Sequence, residues 1–191
     1  MVQKQRLSTY HWLWLLVIFS FFLHKPILRI FFIFDYRQSI QTFSQAYGLD
    51  PHLLGAVIFV ESRFDPTAKS SKGAVGLMQI MPATGEWVAR QMGWESFRPE
   101  DLTDPVKNLE LGCWYLAYLK KYFNGNEVAA LAAYNAGHRY VQDWIDTKVW
   151  EGDLVKIEKI PFVETKKYLF QINAIRKIYR YLYPELTINS A

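Results

Sequence analysis

The sequence predicts a mainly α-helical domain behind a short apolar amino-terminal segment. Three observations point there. Beyond Tyr36 no stretch shows the period-two alternation that marks a half-buried strand. Asp-Pro pairs at 50–51 and 104–105 place an N-cap residue directly before a proline at the first helical position. The chain also opens with Lys4 and Arg6 and then runs almost wholly apolar from Trp12 to Leu23.

With 191 residues, 51% of them hydrophobic, the chain can bury one core of ordinary size and still carry an appendage. One catalytic domain over 36–185 is therefore expected, between an amino-terminal segment 1–35 and a tail 186–191. The net charge of +4 is unevenly placed: residues 1–35 hold Lys4, Arg6, Lys25 and Arg29 against Asp35. Beyond them 18 basic side chains meet 17 acidic ones, so the domain lacks the cationic field that displaces counterions from phosphate, and no nucleic-acid partner is expected. Cys113 is the sole cysteine, which excludes an intrachain disulfide and a thiolate zinc site, and its helical setting reads as a buried small hydrophobe.

The run from Trp12 to Leu23, extended back to Leu7, just reaches the ~17 residues that a spanning helix needs. A cleaved signal peptide would end in small residues, whereas Phe22-Leu23-His24-Lys25-Pro26 follows, so the expectation is an uncleaved, single-pass signal anchor. Pro26 should break the helix and leave Ile27 to Phe34 as a second apolar patch in the headgroup region. One helix from Trp12 to Phe34 would instead place Lys25 and Arg29 inside it, at about 2.5 to 3.5 kcal/mol each for a central position.

In the domain, Asp50-Pro51 opens a helix whose Leu54, Val57, Ile58 and Glu61 recur at three- and four-residue spacing, which sets Glu61 on an apolar face. Asp104-Pro105 opens a second helix, with Leu109, Trp114, Leu116 and Leu119 at its apolar positions and Asn124-Gly125 at its end. A short alanine-rich helix spans about 126–134. The last helix begins after Ile160-Pro161 and stops at Tyr183-Pro184.

Glu61 is the candidate for chemistry. A carboxyl on an apolar helix face is desolvated, and near a helix carboxyl end it also meets the negative end of the dipole; both raise its pKa. Such a group holds its proton near neutrality, as a general acid for glycosidic cleavage must. The competing reading is a helix-ending glutamate that simply faces water.

The surrounding motifs favour the acid. Glu61-Ser62-Arg63-Phe64-Asp65-Pro66 is followed by Gly73-Ala74-Val75-Gly76-Leu77-Met78-Gln79-Ile80-Met81-Pro82, then by Ala133-Tyr134-Asn135-Ala136-Gly137, then by Ile160-Pro161-Phe162-Val163-Glu164-Thr165-Lys166-Lys167-Tyr168. These four blocks, in order over residues 36–183, closely resemble the soluble lytic transglycosylase family. The resemblance implies a lysozyme-like fold of the goose-type kind, with Glu61 as the single catalytic carboxylate. It implies sugar subsites lined by Met78 and Gln79, with Gly73 and Gly76 letting the backbone approach substrate. It further puts Tyr134 near the acid, Asn135 as a substrate contact or a turn former, Ser70 at an N-acetyl group, and Glu164 as a second acidic residue holding the cleft together. His138 departs from the proline many relatives carry after Asn-Ala-Gly, and 93–104 matches no motif.

By the same resemblance, Glu61 protonates the β-1,4 oxygen between N-acetylmuramic acid and N-acetylglucosamine and then deprotonates the muramic C6 hydroxyl, giving a 1,6-anhydro end without water. Asp65, a short step along the chain, is assigned no nucleophilic role. The reaction would need no metal or organic cofactor. Its partner would be peptidoglycan glycan strands, outside the bacterial cell membrane to which the anchor attaches the domain. Exposed Arg63, Arg139, Trp144 and Trp150 could touch this anionic polymer, although tryptophans at helical spacing are more often core. Two other readings share these residues: a goose-type lysozyme that hydrolyses the bond, and a non-catalytic peptidoglycan-binding module of a cell-envelope assembly.

Overall fold

A computed structural model describes residues 23–186 together with Trp12 and Trp14. It divides into two compact units, Met1–Phe34 and Asp35–Ala191. In the first unit, Trp12, Trp14 and residues 23–31 are helical. The expected break at Pro26 is not seen, because the helix runs through it; the proline ring has a helical φ, and its cost falls on the turn before it. No helix among the described residues is long and apolar enough to cross a membrane. Most of the expected span, Leu7 to Phe22, lies outside the described residues.

The second unit is mainly helical. It contains α1 (Arg37–Tyr47), α2 (Pro51–Ser62), α3 (Pro82–Gln91), α4 (Pro105–Tyr122), α5 (Glu127–Ala136), α6 (His138–Asp146) and α7 (Val163–Leu182), with 3-10 turns at Pro99–Thr103 and Ile157–Lys159. Helix α2 is the core. Every residue from Pro51 to Phe59 is buried, so the helix is enclosed on all sides there rather than on one face, and the half-buried Glu61 stands near its end. Helix α7 lies along it, α1 packs on α2 and α4, and α5 touches α4, α6 and α7. Trp144 and Trp150 are core residues, as is Cys113, whose thiol pKa is pushed up by burial.

Local chemistry sets the helix ends. Asp50 accepts a hydrogen bond from the His52 backbone N–H at 2.8 Å, and Asp104 accepts from Val106 and Lys107 at 2.9 and 3.0 Å. Asn126 caps α5 through the N–H of Ala129, and the αL glycine Gly48 closes α1 by donating to Ser44. At the start of α2 the charges form a lock. Asp50 accepts from Arg176 Nε at 2.8 Å and from an Arg180 guanidinium nitrogen at 2.6 Å, while Arg176 also reaches Glu127 at 2.6 Å. His52 places Nδ1 3.3 Å from the Asp50 carboxylate and Nε2 2.8 Å from the Tyr183 carbonyl. The half-buried Asp50 thus joins α2 to α7, and Arg176 extends the link to α5.

Candidate active site

Glu61 sits one residue before the end of α2, about 17 Å along the helix from the Asp50 lock. Burial pushes its carboxyl up to about 7; the Tyr168 hydroxyl opposes the rise and the Glu164 carboxylate adds to it. Tyr168, on α7, is 4% exposed, and its hydroxyl makes no hydrogen bond of standard geometry. Tyr134, on α5, donates from its hydroxyl to the Met78 carbonyl at 2.8 Å. Both phenols have their pKa values raised, first by burial and next by the charge of Glu61, which places them beside the same carboxyl as neutral donors.

The chain turns sharply just after the acid. Arg63 and Phe64 both adopt left-handed backbone, at φ 55° and 66°, although neither is glycine. Strain of this kind persists only where the surrounding structure holds it, and it clusters at functional sites. The Arg63 guanidinium covers the Phe59 ring at 4.3 Å and Phe64 is buried, which supplies some of that hold. Ser62 ties the helix end to the facing loop by bonds to Ile58 O and Leu77 O at 3.1 and 2.8 Å.

That loop, 65–81, is pinned by one residue the motifs did not reveal. Asn108 on α4 is 0% exposed; its amide donates to Val75 O and Leu102 O at 2.9 Å each, and its oxygen accepts from Met78 N at 2.8 Å. A Cβ on Gly76, at φ 82°, would collide with Leu102 O and with this amide, so Gly76 serves a close approach of chain to chain. Gly73 has open space around its Cβ position and a φ of 91°, which makes it a turn glycine.

The other candidate residues divide. Ser70 is exposed, and its hydroxyl accepts from Ala74 N at 3.0 Å, holding a small turn. Gln79, at φ 48°, commits its amide group to Ala68 O and Gly76 O at 3.1 and 3.0 Å, which leaves its side-chain oxygen. Asn135 accepts from Thr165 Oγ at 2.8 Å and so links α5 to the start of α7. Glu164 is exposed and paired with Lys72 at 3.3 Å, joining loop to helix. Asp65 is engaged by Thr67, whose hydroxyl and N–H bond it at 2.8 Å and lower its pKa.

Met78 requires a correction. Its side chain is 0% exposed, packed so tightly over Gly112 that a Cβ there would strike its sulfur, so it offers no surface to a sugar. Met81, 42% exposed three residues on, is the methionine of this segment that solvent reaches. The extended bridges Lys69 to Val75 and Val75 to Ile80 surround a turn, and no periodicity fixes which way side chains point there.

Known proteins share this fold. Residues 38–156 match the family described as the transglycosylase SLT domain. The soluble lytic murein transglycosylase of Salmonella typhimurium is 36% identical over 140 residues, covering 72% of this chain and 21% of that protein. The membrane-bound lytic murein transglycosylase C of Edwardsiella ictaluri is 31% identical over 166 residues, covering 76% of this chain and 46% of that protein. The chain thus spans about a fifth of the soluble relative and under half of the membrane-bound one. Among solved structures, the 70 kDa soluble lytic transglycosylase of Escherichia coli superposes with a TM-score of 0.76 at 32% identity, over 84% of this chain and 27% of that one. An inactive glutamate-to-glutamine mutant of the Pseudomonas aeruginosa lytic transglycosylase Slt gives a TM-score of 0.72 at 34% identity, over 81% and 25%. With its mainly helical, lysozyme-like architecture, the chain belongs to the transglycosylase SLT domain family.

Proposed function

We propose that this protein is a peptidoglycan lytic transglycosylase in which Glu61 serves in turn as acid and base. The observation that carries the reading is a single half-buried carboxyl with a pKa near 7, flanked by two neutral phenols. A carboxyl poised there gives up a proton and takes one back at comparable cost at neutral pH. Glu61 donates its proton to the glycosidic oxygen between N-acetylmuramic acid and N-acetylglucosamine, and the C1–O bond breaks. The acetamido group of the muramic sugar shields the cationic carbon. The Glu61 carboxylate then removes the C6 hydroxyl proton, O6 bonds to C1, and a 1,6-anhydro end forms with no water consumed. The attack lies within one sugar, so its effective concentration is high. The names of the similar enzymes and the inactive glutamate mutant among them support this reading.

Around the acid, Tyr134 and Tyr168 position the carboxyl. Ser70, Gln79 and Asn135 offer polar groups to the sugars, Met78 contributes through its backbone, and Glu164 with Lys72 holds loop to helix. We further infer that the catalytic domain, 36–185, works at the outer face of the bacterial membrane, held by the segment 1–35. The exposed Ile27, Ile30 and Phe31 beside Lys25 and Arg29, and the relative named as membrane-bound, support this.

The test is to incubate the full chain and its Glu61→Gln variant with purified peptidoglycan and identify the released muropeptides by mass. Anhydro ends from the parent alone are expected. Reducing ends would make the protein a hydrolase, and no release from the parent would make it a binding module.

A further inference from the structure

Beyond the residues around Glu61, the second unit carries a half-exposed aromatic cluster that the proposed chemistry leaves unused. Trp87 of α3 meets Tyr115, Tyr118 and Trp114 of α4 edge to face, at centroid distances of 6.2, 5.1 and 5.7 Å. Tyr118 stacks almost parallel on Trp114 and on Tyr115, with interplanar angles of 5° and 12°. Each ring is thereby fixed by its neighbours, yet the cluster is not closed. The rings of Trp87, Tyr115 and Tyr118, together with Ala83, Thr84, His138 and Arg139, line a pocket of about 540 Å³.

Two routes connect this pocket to the candidate active site. Tyr115 lies 5.6 Å from Tyr134, ring to ring, and Tyr134 bonds the Met78 carbonyl beside Glu61. Along the chain, Ala83 and Thr84 follow directly on the exposed Met81. The pocket therefore neighbours the residues around Glu61. Its chemistry is specific: preordered aromatic faces suit the C–H face of a pyranose, and ordering them on binding costs little. At its rim stands Arg139, exposed and without an ion pair among the described residues. A guanidinium fork left open beside a sugar-shaped surface matches a carboxylate.

We propose that this pocket is a distal subsite of the glycan strand that takes a carboxylate-bearing sugar, with Trp87, Tyr115 and Tyr118 as the stacking surface and Arg139 as the partner of the carboxylate. This rests on the proposed action on peptidoglycan. The carboxylate has two sources in that polymer, the lactyl group of a peptide-free muramic sugar or the stem peptide.

The experiment measures affinity of the full chain in detergent, carrying Glu61→Gln to prevent turnover. The three ligands are an uncharged chitooligosaccharide, peptide-free glycan oligomers and peptide-bearing oligomers. Trp87→Ala, in protein shown to be folded by its melting curve, lowers affinity for all three about tenfold. Arg139→Gln lowers affinity for carboxylate-bearing ligands by roughly tenfold or more and for the chitooligosaccharide far less. A loss on peptide-free oligomers assigns the lactyl group; a loss confined to peptide-bearing ones assigns the stem peptide. Equal effects of Arg139→Gln on all three ligands, or none, overturn the proposal, and this arm decides alone if Trp87→Ala does not fold. Product analysis of the active protein runs beside it. Absence of anhydro ends there defeats the proposed reaction and not the subsite, whereas anhydro ends with unchanged affinities defeat the subsite alone.

Discussion

Glu61 has a folded pKa of about 7 against an ordinary 4.5, so the folded state keeps a proton that the unfolded chain loses as pH rises between those values. Its burial is therefore harmless below pH 4.5 and destabilising above 7, by about 3 kcal/mol at about 1.4 kcal/mol per unit. Glu61→Gln should remove that penalty: melting curves at pH 8 should rise by several degrees, and those at pH 4 should hardly move. The same variant should lose at least about a hundredfold in activity, the lower range for a positioned acid. In the parent, kcat should fall as pH rises through about 7, since the ionised form has no proton to give. Tyr168→Phe removes a group that holds this pKa down, so the alkaline limb of the profile should move to higher pH; an unmoved limb would show that the phenol does not act on the acid. Glu61 was legible from its place near a helix end and from the motif around it. Tyr168 was legible only as the last residue of the fourth motif block, because its meeting with Glu61 joins positions over a hundred residues apart.

At the level of elements, sequence signals succeeded where the determinant is local. Asp50-Pro51 and Asp104-Pro105 start helices because cap and proline act within one turn. Helices α1, α3 and α6 carry no such side-chain cap, so their starts are less legible in the sequence. The wrong face for Met78 has a related cause, since the loop 65–81 takes its side-chain directions from Asn108 across 30 positions of chain. Asn108→Ala would leave the Met78 N–H and the carbonyls of Val75 and Leu102 without this partner. At about 1 to 3 kcal/mol for each buried group left unpaired, denaturant unfolding should show a loss of roughly 3 kcal/mol or more. Activity should fall with it even where the protein remains folded, because this loop carries Gln79 and the carbonyl that Tyr134 holds.

For the molecule as a whole, the two ends of α2 do opposite work: the Asp50 end is tied by ion pairs and the Glu61 end is left with a costly carboxyl. Burial raises the Asp50 pKa, but hydrogen bonds from His52, Arg180 and Arg176 outweigh it and hold the carboxyl far below its usual range. Burial lowers that of His52, but bonds to Asp50 and to the Tyr183 carbonyl outweigh it and the net shift is upward. A raised histidine stabilises the fold fully below about 6.5 and loses that contribution as pH rises through its folded pKa. The depressed aspartate contributes above about 4 and loses it on acidification. The lock is thus strongest between these limits, and His52→Gln should flatten the fall in melting temperature on the alkaline side. A parent and variant with parallel curves would show that His52 stays neutral. The main-domain fold class was readable from composition and periodicity, whereas this lock was not, since Asp50 and Arg176 meet only once α7 has folded back along α2.

If Glu61 alone cuts the strand without water, digestion of peptidoglycan in heavy-oxygen water must leave the new ends unlabelled. Products analysed by mass should end in anhydro sugars, one water lighter than hydrolytic ends and free of label, and none should form with Glu61→Gln. Ends that carry one heavy oxygen would show that water attacks the sugar and that the protein is a hydrolase.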